Sequence, residues 1–250
     1  MALTKVQATN IKTLPALTGE SLGLVIKNND TNPNFQLDIT AEEIILRDAN
    51  LNVGFVTSVS NTVDITVSGV NGLDTGTEAV NTWYHIWCIA KEDGTKGCLL
   101  SASSSSPTLP SGYTYKARIG AVYNDAAGNF RDFMQRGKRV MANSTEWVAL
   151  ASGASATRAL IDMSAFVPPT STRTHLHTEH RYTTTGRSLV NFFTTSTATN
   201  PIFTTDITGA GAATYEGYNT VLGLVLPNQQ QIYYFRSSGT TAVWVIGFDL

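Results

Sequence analysis

Three of the four histidines in this 250-residue chain fall within Thr174-His175-Leu176-His177-Thr178-Glu179-His180-Arg181. On an extended strand His175, His177 and Glu179 project from one face and His180 from the other, because successive side chains alternate. A His-x-His pair presents imidazole nitrogens, which suit transition metals. Repeated around a threefold axis, His175 and His177 would gather enough donors to hold one ion, so they are the candidate metal ligands. Solvated or interfacial histidines on a strand explain the same spacing, and that plainer reading is preferred. Tyr182, Tyr215 and Tyr218 form a second set of candidates. Exposed, they would stack on the sugars of a surface glycan; core or subunit-interface positions suit tyrosine as well, and for any one of the three are the preferred reading.

No other constellation points to a reaction. There is no Gly-x-Ser-x-Gly elbow and no nucleophile with a recognisable base and orienting group. The acidic residues are scattered, and sequence distance does not say which carboxylates pair across a glycosidic bond. No Gly-rich loop follows a strand in the manner of a phosphate cradle. The Gly72-Leu-Asp74-Thr-Gly76 stretch is a tight turn or a weak calcium loop, and it is short of the oxygen ligands calcium requires. The expectation is therefore a protein without a catalytic site or cofactor, whose work is binding and holding shape.

Composition agrees with that class. Charged residues make up 14% of the chain and the formal net charge is -2, against about 25% charged residues in an ordinary soluble domain. No basic stripe argues for nucleic acid, and no apolar run is long enough to span a bilayer. Low charge with abundant Thr, Ser, Asn and Gly suits a surface partly covered by sister chains, and equally a weakly charged monomer. The N-terminal stretch has no apolar core or cleavage pattern of a signal peptide. Cys88 and Cys98 lie ten positions apart and read as reduced thiols packed in a sheet, not as a disulfide framework.

The elements that must position these residues are short strands. Trp83 to Ala90 is rich in aromatic and β-branched residues, Lys91 to Thr95 turns the chain at Gly94, and Gly97 to Leu100 returns. A three-residue loop sets Cys88 opposite Cys98; a two-residue loop would slip the pairing and set Cys98 against Ile89. Ser101 to Gly112, with two prolines, is an ordered turn region. Tyr113 to Tyr123 and Phe130 to Val140 follow, giving a β-meander. Earlier, Leu22 to Ile26, Phe35 to Ile39 and two runs within Asn52 to Val67 alternate. Thr40 to Glu43 resembles a capping box, yet Ile44-Ile-Leu is too short and too branched for a helix and reads as a strand. Later, Ile232 to Arg236 and Ala242 to Phe248, split by Ser237-Ser-Gly-Thr240, read as a hairpin.

The expected class is all-β: two β-sandwich or jelly-roll-like domains behind an extended N-terminal arm. Residues 1–20 form the arm, 21–140 the first domain, 141–158 a small-residue linker, and 159–250 a jelly-roll-like second domain.

One resemblance bears on function. Gly72-Leu-Asp-Thr-Gly76, Asn81-Thr-Trp83-Tyr84, Leu99-Leu-Ser101, Pro107-x-Leu109-Pro110-x-Gly112-Tyr113 and Arg118-Ile-Gly120-Ala-Val122 together resemble a module found in virion proteins of tailed bacteriophages, many of them tail-fibre or tail-associated. Covering about the middle third of the chain, the match implies a virion location and a β-rich fold; the reduced thiols are consistent with assembly in the host bacterial cytoplasm. The expected assembly is a homotrimer, since association with identical chains covers sheet edges, joined to other virion proteins through the N-terminal arm and binding host surface glycan or protein. His-x-His metal sites occur in trimeric phage fibres, which is what the resemblance adds for His175 and His177. A capsid decoration or head-fibre protein is the alternative, and a surface-polysaccharide depolymerase a more distant one.

Overall fold

The computed structural model describes residues 18–144, 147–183, 185–209 and 214–250, and these form an all-β chain. The expected N-terminal arm falls outside the described residues as far as residue 17. No helix is long and apolar enough to cross a membrane among the described residues. Two units divide the chain, Met1–Val140 and Met141–Leu250.

In the first unit, β1 (Ser21–Leu22) and β2 (Val25–Asn28) lie along β3 (Gln36–Arg47), whose other edge carries β4 (Val53–Asp64). Thr40 to Glu43 runs through the middle of β3, so the capping-box pattern opens no helix. The β3–β4 ribbon changes its buried face part-way. Leu37, Ile39 and Ala41 are buried on one phase of β3, then Ile44 and Leu46 on the other; on β4 the buried valines are Val63 and Val59, then Val56. Pairing stays in register across the switch, with Ala41 opposite Val59 and Glu43 opposite Thr57. The change of face therefore comes from a kink shared by both strands. Ser58 sits at the kink with φ +53°, and the Lys96 ammonium donates to the carbonyls of both Thr57 and Ser58.

The same unit holds β5 (Gly72–Leu73), β6 (Thr82–Ala90), β7 (Lys96–Ser101), β8 (Tyr115–Asn124) and β9 (Phe133–Arg136), and β10 (Arg139–Ala142) spans the boundary at Val140. β6 and β7 form the expected hairpin, with Cys88 opposite Cys98 and both thiols free and buried. Hydrogen bonding to Cys88 and burial hold the Cys98 thiol well above its usual range. The meander, however, is not observed. β8 pairs with β6 on the edge away from β7, and β9 pairs with β2 and β10. The long loop after β7 makes this crossing possible, because Leu109 and Tyr113 from it pack on Trp87, Ile89 and Leu99. Asp74 is the loop's anchor, accepting the Thr108 N–H at 2.8 Å.

The second unit consists of β11 (Val148–Gly153), β12 (Ala159–Asp162), β13 (Arg173–Tyr182), β14 (Gly186–Phe193), β15 (Phe203–Gly209), β16 (Tyr215–Leu224), β17 (Gln231–Arg236) and β18 (Thr240–Asp249). Its strands form two antiparallel sheets, in the orders β11-β18-β13-β16 and β12-β17-β14-β15. Eight strands arranged in that order make a jelly roll. The domain starts earlier than the sequence reading placed it, since β11 lies inside the stretch taken for a linker. Small residues there mark a close approach: a Cβ on Gly153 would come within 2.5 Å of both Tyr234 Oη and Leu150 Cδ2.

The terminal hairpin is also corrected. β17 and β18 belong to different sheets, so Ser237 to Gly239 carries the chain over the sandwich edge. A local turn pattern reads the same in a hairpin and in such an arch. Gly239 has φ +81°, and a Cβ there would lie 2.1 Å from the Arg181 carbonyl oxygen.

Two outcomes follow from this packing. Gly239→Ala meets backbone at a left-handed position and destabilises the fold by about 2 kcal/mol or more, read as a lowered urea midpoint. The fourth histidine, His85, is buried in β6, and burial first, then the Arg118 charge, lowers its pKa from 6.5 to about 4. Above pH 6.5 neither the folded nor the unfolded chain protonates it. Between 6.5 and about 4 the unfolded chain takes a proton that the folded one refuses, and stability falls by roughly 1.4 kcal/mol per pH unit. Urea unfolding from pH 7 to 4.5 checks this, and His85→Gln flattens the dependence.

Candidate functional site

β13 positions the histidine cluster. It is paired along its length to β18 on one side and β16 on the other. Thr174, Leu176, Thr178, His180 and Tyr182 form one phase and are all buried, while His175, His177, Glu179 and Arg181 form the other.

His175 and His177 do share a phase, but they are not two free ligands. His175 is 2% exposed; its Nδ1 accepts the Gly223 N–H at 2.7 Å and its Nε2 faces Asp249 Oδ1 at 3.1 Å. Because Nδ1 is an acceptor, the ring proton sits on Nε2 and is given to Asp249. No lone pair is left on His175 for a metal, so the candidate His175–His177 pair does not offer two free ligands. Among the described residues no group of three or more His, Cys, Asp or Glu is placed to hold an ion.

The tyrosines separate by strand parity. Tyr182 lies on the buried phase and donates its hydroxyl to the Thr185 carbonyl at 3.1 Å, which removes it as a glycan contact. Tyr215 stands opposite Tyr182 and is half-buried on the inner phase of β16, whose Gly217 packs against Ile207 of the other sheet. Tyr218 lies on the outer phase and is 55% exposed.

Around Tyr218 the outer face builds a cluster that the sequence reading missed in part. The His177 ring stacks on Tyr218, with centroids 5.9 Å apart and planes at 20°, and lies 5.6 Å from Trp244. His177 Nδ1 is 3.1 Å from Thr220 Oγ1. Beside the rings, Arg181 pairs with Glu179 and, at 3.3 Å, with Glu216, which in turn accepts the Tyr218 hydroxyl. Those hydrogen bonds raise the pKa of both Tyr218 and Arg181. A groove of about 290 Å³ runs here, lined by Trp244, Glu179, Arg181, Ala242, Ala151 and Ser152. Trp244 was legible in principle: Val243 and Val245 are its buried neighbours, so parity alone sends it outward.

The inner face holds a different arrangement. His180 Nδ1 is 2.9 Å from the Thr240 carbonyl and its Nε2 2.8 Å from Ser188 Oγ. A hydroxyl, an imidazole and an orienting acceptor in line is the geometry of an activated nucleophile. Ser188 and His180 are 0% and 1% exposed, however, so no substrate reaches the hydroxyl. The pair instead ties the two sheets together through Ser188 and the Ser238 carbonyl, 2.8 Å away. Burial lowers the pKa of His180.

What the outer face can do is bind. A solvent-facing indole and phenol offer apolar ring faces, and two carboxylates around one guanidinium offer directed hydrogen bonds. No protein-family model matches this chain, and no curated protein matches it.

The histidine geometry makes its own prediction. His175→Leu removes the acceptor of the Gly223 N–H and the imidazole contact to Asp249, and costs about 1–3 kcal/mol. A chelator leaves the melting temperature of the unaltered protein unchanged; a drop on chelation would restore the metal reading.

Proposed function

We propose that the chain is a structural virion protein of a tailed bacteriophage, a tail-fibre or tail-tip component that binds the host surface through its second unit. The observation that carries the binding half of this reading is the outer-face groove beside Trp244, Tyr218 and His177. Its chemistry is that of a saccharide subsite. The rings stack on the apolar face of a sugar, and Glu179, Arg181 and Glu216 meet its hydroxyls. Two carboxylates against one guanidinium disfavour an anionic sugar, so the ligand is a neutral or amino sugar of a surface glycan. The virion half rests on the resemblance described above.

Self-association as a homotrimer belongs to this reading. Leu222 and Val225, 62% and 66% exposed, are the surface feature in its favour. Three weak subsites engaged at once become a firm attachment through effective concentration.

The purified protein is expected to bind host cells and to block infection. Trp244→Ala should weaken that binding about tenfold or more while leaving the melting temperature close to that of the parent. Unchanged binding by Trp244→Ala overturns the groove as the contact. Antibody labelling of intact particles is expected at the tail, and labelling of the shell instead replaces the tail assignment with capsid decoration.

A further inference from the structure

Three cations converge in the first unit. Arg47 ends β3, and Lys116 stands opposite it on β8, with Arg118 two residues further on. Together with Thr18, Asp48, Trp87, Ser104 and Ala117 they line a cavity of about 400 Å³. In a chain with a formal charge of -2, such a concentration of one sign needs a reason.

The obvious counter-charge is already used. Asp48 Oδ1 accepts the N–H groups of Asn50 and Asn52 at 2.9 and 2.8 Å, and its Oδ2 accepts the Asn52 side-chain amide at 2.7 Å. It holds its own turn closed. Arg47, Lys116 and Arg118 make no ion pair among the described residues. The Lys116 ammonium rests over the Trp87 ring, 5.6 Å from its centroid, and Arg118 gives one N–H to the Ser104 carbonyl at 3.2 Å. Arg47 Nε is buried and has no hydrogen-bond partner among the described residues. A buried, charged donor without an acceptor is costly and uncommon. Residues 1–17 contain no Asp or Glu, so that segment brings no carboxylate to the cavity.

We propose that this cavity is an oxyanion site that takes a phosphate group. Two guanidinium forks and an ammonium match the oxygens of a phosphate in charge and in donor geometry. The phosphate is either free in solution or an ester on a surface polymer, and both present the same oxygens. The site is independent of the glycan groove, being built by other strands of the other unit.

Titration calorimetry of the full chain with inorganic phosphate at low ionic strength is expected to show saturable binding that weakens as sodium chloride is added. Lys116→Gln is the decisive variant, because its side chain makes no hydrogen bond that the fold needs. It should raise the dissociation constant about tenfold, with Arg47→Gln acting in the same direction. Lys27→Gln, a surface change paired to Asp30, should leave it unchanged. Glycerol 3-phosphate in place of phosphate separates the sources: tighter binding of the ester points to a surface polymer, equal binding to the free anion, and both uphold the site. Absence of saturation with either probe, or equal affinity of Lys116→Gln and the parent, overturns it.

Discussion

The second unit depends on β13 being hydrogen-bonded on both edges. A strand paired on one side can slip or twist to suit its neighbours, whereas β13 is fixed by β18 and β16 at once. With the side-chain period equal to two, that double constraint decides the destination of every residue on it. His180 goes to the interior with Thr178 and Tyr182; His177, Glu179 and Arg181 go to the outer face. Irregularities in the pairing near His175 and Leu176 are absorbed by β16 and β18 and not by β13. The outer cluster is consequently assembled from three strands on a rigid support, which is the condition for rings and charges to keep a fixed geometry.

A comparable constraint operates in the first unit at the β3–β4 kink. Two paired strands exchange their buried faces together, and the Ser58 backbone is held in an uncommon conformation to allow it. Lys96 satisfies the carbonyls exposed by the bend, which ties the ribbon to the β6–β7 hairpin that carries it. β3 then reaches β8 only at its last residue, where Arg47 meets Lys116. The placement of two like charges side by side is thus a product of where the ribbon ends, and it is the origin of the basic cavity.

Much of the architecture was legible because it is written locally. Alternation and turn residues located most strands, and the turn chemistry from Lys91 to Thr95 favoured the register that sets Cys88 against Cys98, which the hairpin adopts. What escaped was non-local. Ser237 to Thr240 has the composition of a hairpin turn, yet only the rest of the sandwich decides that the strands on either side of it join different sheets. Ala151-Ser-Gly-Ala looks like a linker because small residues are shared by flexible chain and by tight packing, here under Tyr234. Among the candidate residues, parity could have separated Tyr215 from Tyr218, three positions apart on one strand. No sequence pattern brings Trp244 beside His177, since they stand 67 positions apart in the chain.

The neighbouring placement of β11 and β18 has an evolutionary corollary. The first and last strands of the jelly roll are hydrogen-bonded to each other, Val148 opposite Trp244, so backbone enters and leaves the sandwich side by side. A unit whose two ends meet behaves as a cassette: it can be exchanged by recombination without cutting through the middle of a sheet. Trp244 rides on one of those two end strands and Ala151 and Ser152 on the other, so an exchanged cassette would carry the whole outer-face cluster with it.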